Sequence, residues 1–149
     1  MTMEICAAKL ELRELADSFA TLSDTGAAKA LSELFTPDGV LEFQIGFDGE
    51  LNRIRGRENL LTAFRATLTP DKKMFHLSGQ HTVKLSEDLT RAEGIAYCQA
   101  SFLTEENGVR QITTNDIRYS DSYVKAEGKW FIQCRRSTFL IMETRTVSE

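Results

Sequence analysis

Proline, histidine and cysteine are scarce in this chain of 149 residues, which contains two, two and three of them. The cysteines, Cys6, Cys98 and Cys134, are odd in number, widely spaced and outside any CxxC or Cys/His pattern. This argues against a disulfide framework and against a zinc site, so free thiols in a reducing compartment are the simplest interpretation. No glycine-rich phosphate loop is present either, and we expect neither a metal nor another cofactor.

Long apolar runs and an excess of basic residues are also missing. A membrane-spanning helix needs about 20 consecutive apolar residues, and no run of the sequence approaches that length. The net charge of −4 argues against nucleic-acid binding, which usually requires a basic surface. The N-terminal segment is charged and lacks the apolar centre of a signal peptide. We therefore predict a cytoplasmic protein with no membrane or nucleic-acid partner.

The overall composition is that of an ordinary soluble globular protein, with 42% hydrophobic and 27% charged residues. The length fits one domain better than two, so we predict a single domain over residues 1–149.

The N-terminal part of the chain shows helical spacing of its apolar residues. One stripe runs from Ile5 to Leu22 at steps of three and four, and the run 23–26 ends it. A shorter helix is predicted between Ala27 and Phe35, and a third one contains Leu60, Leu61, Phe64 and Leu68. Residues 36–39 have the composition of a turn.

The remaining segments predict strands. Residues 40–47 alternate between apolar and polar side chains, and the segments 76–85, 91–103, 109–125 and 129–142 are separated by short turns. Short connections between long consecutive strands indicate an antiparallel meander. We therefore predict an α+β fold, in which a strongly curved, mostly antiparallel sheet is wrapped by three N-terminal helices around an internal pocket.

Several segments resemble a known family. Residues 19–35 are similar to the opening helix pair of SnoaL-like proteins, in the nuclear transport factor 2-like superfamily, and 36–43 and 56–64 are similar to the segments that follow. His76 stands where the family often has histidine, and 119–136 resembles the closing hairpin. The resemblance implies a cone-shaped α+β barrel. The superfamily includes polyketide cyclases, ketosteroid isomerases, scytalone dehydratase, a dehydrochlorinase, dioxygenase β subunits and binding proteins. The function therefore has to be argued from the site.

The resemblance places Asp24 and His76 on the Asp–His pair of the members that eliminate water or HCl. A neutral imidazole is a suitable general base near pH 7, and a carboxylate on its other nitrogen holds the tautomer and stabilises the imidazolium. Two alternatives stay open. Asp24 could serve only as the N-cap of the second helix, and His76 could be a hydrogen-bonded histidine of the core or rim. The dehydrochlorinase type carries a lysine at the position of Phe19. This difference argues against the same dehydrochlorination chemistry in this chain.

His81 is the only other histidine. In a regular strand it has the opposite parity to His76 and faces away, unless a bulge at Gly79 changes the alternation. We do not include His81 among the predicted site residues.

Five further residues are predicted to bind substrate. Arg136 shares one side of the last strand with Trp130 by alternation and could hold an oxyanion, with a surface salt bridge or dimer contact as the alternative. Arg135 takes this place if the alternation is broken. Tyr119 and Tyr123 share a strand face and could donate to an oxyanion, whereas Phe43 is predicted with Trp130 on apolar grounds. Aromatic packing in the core is the alternative for all four aromatic residues.

Together these features predict a cofactor-independent lyase or isomerase acting on a small, largely apolar cyclic metabolite, such as a steroid, a polyketide or an aromatic compound. The alternative is a non-catalytic ligand-binding or assembly module of the same fold. A homodimer is expected from the resemblance, because the exposed sheet face is commonly used for association in this family.

Overall fold

The computed structural model describes residues 1–148, and in them three helices precede or interrupt a six-stranded sheet. The elements in chain order are α1 (Met3–Asp24), α2 (Ala28–Ser32), β1 (Phe35–Ile45), β2 (Asn52–Arg55), α3 (Arg57–Thr67), β3 (Lys73–Leu85), β4 (Arg91–Glu106), β5 (Val109–Ala126) and β6 (Lys129–Thr146). Glu149, the last residue of the predicted domain, lies outside the described residues. None of the helices in residues 1–148 combines the length and apolar character needed to cross a bilayer.

The sheet has the strand order β2-β1-β6-β5-β4-β3 and stays open. Its pairs are antiparallel except for β1 with β6, which run parallel. The prediction of an α+β fold with a curved, mostly antiparallel sheet and three helices is confirmed. The short strand β2 was not predicted, because four residues containing two arginines carry too little of a strand pattern.

Helix α1 forms because its apolar residues recur on one side and its first turn is capped. The Thr2 hydroxyl accepts a hydrogen bond from the backbone N–H of Ile5, which satisfies one free donor at the helix start. The helix ends at Asp24, and Gly26 turns the chain away with a φ of +70°, a conformation that glycine adopts at little cost. The buried side of α1 packs mainly against β3.

Small residues cover the inner face of β4, which is the sheet face turned towards α1. The inward positions of this strand from its start are Ala92, Gly94, Ala96, Cys98 and Ala100. Larger side chains from the neighbouring strands and helices fill the space above them, and the core cluster contains Leu12, Phe19, Leu31, Phe35, Leu60, Phe64, Ile117, Tyr119, Tyr123, Trp130 and Ile132.

Two strands contain bulges that reverse the alternation of their side chains. In β3, Ser78 pairs with Cys98 but His81 pairs with Ala96, so one residue is inserted at Gly79–Gln80. In β6, Cys134 pairs with Ser122 but Ile132 pairs with Tyr123, so Gln133 is the inserted residue. Each of these bulges moves the side chains that follow it to the face opposite the one that simple alternation predicts, and in β6 this holds up to Leu140, where a second residue is inserted.

Strand β1 differs from the prediction in two ways. The predicted turn 36–39 lies inside β1, where the pairing with β6 is interrupted between Phe35 and Val40. The predicted alternation is present, but Glu42 and Gln44 are buried, while Ile45 is exposed. Glu42 is buried because it lies between the neighbouring strands and pairs with Arg53.

We expect the Leu12→Ala variant to lose about 2–5 kcal/mol of unfolding free energy, because it leaves a cavity where a fully buried side chain packs. The matched Leu10→Ala variant lies on the same helix with a side chain 72% exposed, and it should change stability by at most about 0.5 kcal/mol. Urea unfolding of both variants measures the difference. Equal stability losses would contradict the assigned buried side of α1.

Candidate active site

Asp24 and His76 meet where the end of α1 crosses β3. The Asp24 carboxylate accepts two hydrogen bonds from His76, one from its backbone N–H at 2.9 Å and one at ring Nδ1 at 2.6 Å. The alternative in which Asp24 caps α2 is wrong, because Ala27 holds that cap position without any side-chain bond. Asp24 instead joins the last turn of α1 to the third strand.

The contact with Asp24 determines which nitrogen of His76 carries a proton. A carboxylate can only accept hydrogen bonds, so we assign the ring proton of neutral His76 to Nδ1. Nε2 then carries the lone pair, and it has no hydrogen-bond partner within residues 1–148. The side chains of Asp24 and His76 are 24% and 13% exposed, respectively. A ligand can therefore reach them, although most of their surface is shielded. This arrangement can accept a proton at Nε2.

The interior arginine is Arg135 and not Arg136. Because Gln133 is an extra residue in β6, the inward positions of that strand run from Trp130 and Ile132 to Arg135. Arg136 lies on the outer face and contacts the Glu42 carboxylate at 3.4 Å. The prediction that Arg136 shares the inner face with Trp130 is therefore wrong, and the surface salt bridge weighed against it is what the structure contains.

Arg135 is fully buried and held from three sides. Its Nε and Nη2 donate to the two oxygens of Asp121 at 2.9 and 2.8 Å. Its guanidinium carbon lies 4.4 Å from the ring centre of Phe19 and 4.0 Å from that of Tyr119. A bidentate ion pair between two aromatic rings restricts the guanidinium to one orientation.

A small cavity, partly open to solvent, lies between α1 and the inner face of the sheet. Its lining includes Phe19, Ser78, His81, Tyr119 and Arg135. The free volume is about 10 Å³, which is at the lower limit for one water molecule. Most of the interior near Arg135 is therefore filled by side chains.

Residues 4–136 match the family model of the SnoaL-like domain. The chain belongs to the SnoaL-like domain family.

Several solved structures have a fold similar to that of this SnoaL-like domain. A proposed scytalone dehydratase from Novosphingobium aromaticivorans superposes with a TM-score of 0.80 at 16% identity, over 99% of this chain and 94% of the other. A hexachlorocyclohexane dehydrochlorinase of type 2 gives 0.75 at 16% identity, over 98% and 93%. The β subunit of a proposed aromatic-ring-hydroxylating dioxygenase from N. aromaticivorans gives 0.77 at 14% identity, over 93% of both chains.

These identities show a common fold and no more. No curated protein matches the SnoaL-like domain by sequence.

Tyr119 and Tyr123 both lie on the inner sheet face of the SnoaL-like domain. Burial strongly raises the pKa of each hydroxyl, so both stay protonated. Tyr123 donates its proton to Asp121 Oδ2 at 2.5 Å and has no second proton to offer. The Tyr119 hydroxyl contacts the Cys98 thiol instead, so it is the one of the two whose proton is not held by a carboxylate.

Phe43 and Trp130 occupy different surroundings. Phe43 is 37% exposed and lines a surface groove with Phe139 and Met142. Trp130 is buried in the core cluster, and the Lys125 ammonium lies 5.7 Å from its ring centre. Core packing thus describes Trp130, and the predicted role of both residues in substrate binding stays a prediction.

His81 was left out of the predicted site, although the structure places it on the inner face. The bulge at Gly79–Gln80 changes the alternation of β3, so His76, Ser78 and His81 all face α1. Its Nε2 lies 3.1 Å from the Tyr123 hydroxyl. The available signal was Gly79, because glycine inside a strand pattern often marks a bulge.

We expect the Arg135→Met variant to lose about 3–5 kcal/mol of unfolding free energy, because the buried Asp121 carboxylate is left without its cation. In the matched Arg136→Met variant, Glu42 retains Arg53 at 2.9 Å, and the loss should be within about 1 kcal/mol. Chemical unfolding at pH 7 provides the comparison. A greater loss in Arg136→Met would show that the bulge in β6 is assigned to the wrong residue.

Proposed function

We propose that this SnoaL-like domain is a cofactor-independent lyase or isomerase, with His76 as general base and Asp24 as the residue that orients it. The observation that supports this most directly is the double hydrogen bond from His76 to one carboxylate, which leaves Nε2 unpaired. Nε2 is thereby the ring nitrogen that can accept a proton, as a general base requires.

The reaction begins when Nε2 removes a proton from a carbon next to a carbonyl or opposite a leaving group. In an elimination, the C–H electron pair forms the new double bond and the leaving group departs with its own pair. In an isomerisation, the pair forms an enolate, and the imidazolium returns the proton to another carbon. In both cases Asp24 stabilises the positive charge that develops on His76.

Arg135 takes the place proposed for Arg136 as the group facing a developing oxyanion. Its Nη1 is not among the atoms bonded to Asp121, and Tyr119 lies against its guanidinium. Charge stabilisation by a group held in advance is effective because no reorientation is needed during the reaction. The largely apolar surroundings favour a small cyclic metabolite over a highly charged substrate.

The names of two structural neighbours agree with this proposal. One is a proposed scytalone dehydratase and the other is a hexachlorocyclohexane dehydrochlorinase. Their low identity limits this support to the reaction class, so the substrate must be found by experiment.

We expect the His76→Ala variant to lose about 10²–10⁴-fold in kcat, because it removes the base. The assay follows deuterium exchange and product formation for a panel of cyclic ketones and cyclic alcohols, by NMR in D₂O. Asp24→Asn should also lose activity, because an amide can present a donor to Nδ1 and stabilise the wrong tautomer.

Asp38→Asn is the matched control, since Asp38 is exposed, and it should retain full activity. Circular dichroism establishes that each variant is folded. Unchanged turnover in folded His76→Ala would remove the proposal.

A second candidate function is a non-catalytic binding or assembly module, and the small interior volume favours it. The outer sheet face exposes Phe75 and Leu77, and Leu77 lines a shallow depression together with Leu140. Exposed apolar patches often mark contact surfaces. We propose that two copies of the chain associate through this face as a homodimer.

Introducing a charge at Leu77 should separate such a dimer. We expect Leu77→Glu to shift the protein from dimer to monomer in sedimentation velocity, because a carboxylate would be desolvated in the interface. Leu10→Glu changes another exposed leucine, on α1, and should leave the mass unchanged. A wild-type protein that is monomeric at 100 µM would contradict the homodimer.

A further inference from the structure

A second polar cluster lies on the same strand face as His76, and Arg135 is its one member with a part in the proposed reaction. It consists of His81 on β3, Tyr123 and Asp121 on β5, Arg135 on β6, and the α1 residues Arg13 and Asp17. The bulge in β3 turns His81 towards this cluster.

Hydrogen bonds within the cluster determine the tautomer of His81. Asp121 accepts two bonds from Arg135 and one from the Tyr123 hydroxyl, so it is a carboxylate. Because Tyr123 gives its proton to Asp121, its oxygen must accept at the 3.1 Å contact with His81 Nε2. His81 therefore carries its proton on Nε2 and a lone pair on Nδ1, the reverse of His76.

Burial keeps His81 neutral. It lowers the pKa of the imidazole below the ordinary value, and the nearby Asp121 carboxylate opposes this only in part. Arg135 and Arg13 lower the pKa further, while Asp17 raises it. The neutral ring with an unprotonated Nδ1 is thus the main species near pH 7.

Gly94 allows His81 and Tyr123 to meet across β4. A Cβ at position 94 would lie 2.9 Å from Tyr123 Cε2 and 3.2 Å from His81 Nε2. Any larger residue would therefore push the two rings apart. The absence of a side chain here is a local requirement of this hydrogen bond.

Helix α1 supplies the opposite wall of the cluster. Arg13 Nε binds Asp17 Oδ2 at 2.8 Å, and Arg13 Nη1 donates to the Gly79 carbonyl at 2.8 Å. Asp17 Oδ1 is buried without a protein partner in residues 1–148. Asp17, His81 and Arg135 all line the small cavity of about 10 Å³ between α1 and the sheet.

We propose that this cavity is a binding site for one water molecule, which donates to Asp17 Oδ1 and to His81 Nδ1. The volume matches a single water, and two unpaired acceptors match its two protons. Its oxygen can accept from Arg135 Nη1. The charges of Arg13, Asp17, Asp121 and Arg135 cancel, so a neutral ligand suits the cavity better than an ion. The water completes a hydrogen-bond chain from α1 to the guanidinium between the two aromatic rings.

The tautomers can be measured directly, independently of the proposed function. In protein labelled with ¹⁵N-histidine, long-range ¹H–¹⁵N correlation at pH 7.5 should show His81 protonated on Nε2 and His76 on Nδ1. Tyr123→Phe should weaken the Nε2 preference of His81, whereas Ser120→Ala, which removes an exposed hydroxyl from the same strand, should leave it unchanged. His81 protonated on Nδ1 in the wild type would overturn the assignment.

The water is tested by ¹⁷O magnetic relaxation dispersion, which counts long-lived internal waters. The wild type should exceed the Asp17→Ala variant by one such water. Exposed Asp38→Ala serves as the control and should match the wild type. Equal counts in the wild type and Asp17→Ala would overturn the water site.

Discussion

The Asp24 carboxylate is the contact on which the arrangement of the site depends. It is the last residue of a 22-residue helix, where the partial negative charge of the helix end makes another negative charge unfavourable. The two N–H donors of His76 compensate for this, and they bind the helix end to β3 at the same time. A positive charge forming on His76 would be stabilised both by the carboxylate and by the helix end. A local electrostatic cost thus becomes a means of stabilising an imidazolium.

The sequence predicted those parts of the site that do not depend on exact strand alternation. Asp24 and His76 were identified from the order of segments and from a family resemblance, and both lie next to a helix end or near the start of a strand. Arg135 and His81 follow bulges at Gln133 and Gly79–Gln80. Counting every second residue therefore placed Arg136 inside and His81 outside. Gly79 signals its bulge through its residue type, but nothing about a glutamine in a strand signals the one in β6.

The buried ion pair explains how a largely apolar interior can contain two charges and yet be nearly full. Removing Arg135 and Asp121 from water is costly, and the cost is offset only if every hydrogen bond is well formed. Two parallel N–H bonds, the Tyr123 hydroxyl and the faces of Phe19 and Tyr119 supply this compensation. The same contacts occupy volume that an open pocket would need. A ligand reaching Arg135 must therefore displace side chains.

The two histidines of β3 lie on one strand face but have opposite tautomers. Both tautomers depend on a carboxylate, directly from Asp24 for His76 and through Tyr123 from Asp121 for His81. The charge of Asp121 is already balanced by Arg135, so it offers little stabilisation to an imidazolium at His81. Within residues 1–148 Asp24 forms no ion pair with a lysine or an arginine, and its charge remains available to His76. The difference in the partners makes His76 the stronger candidate base, whereas burial is the main reason that His81 stays neutral.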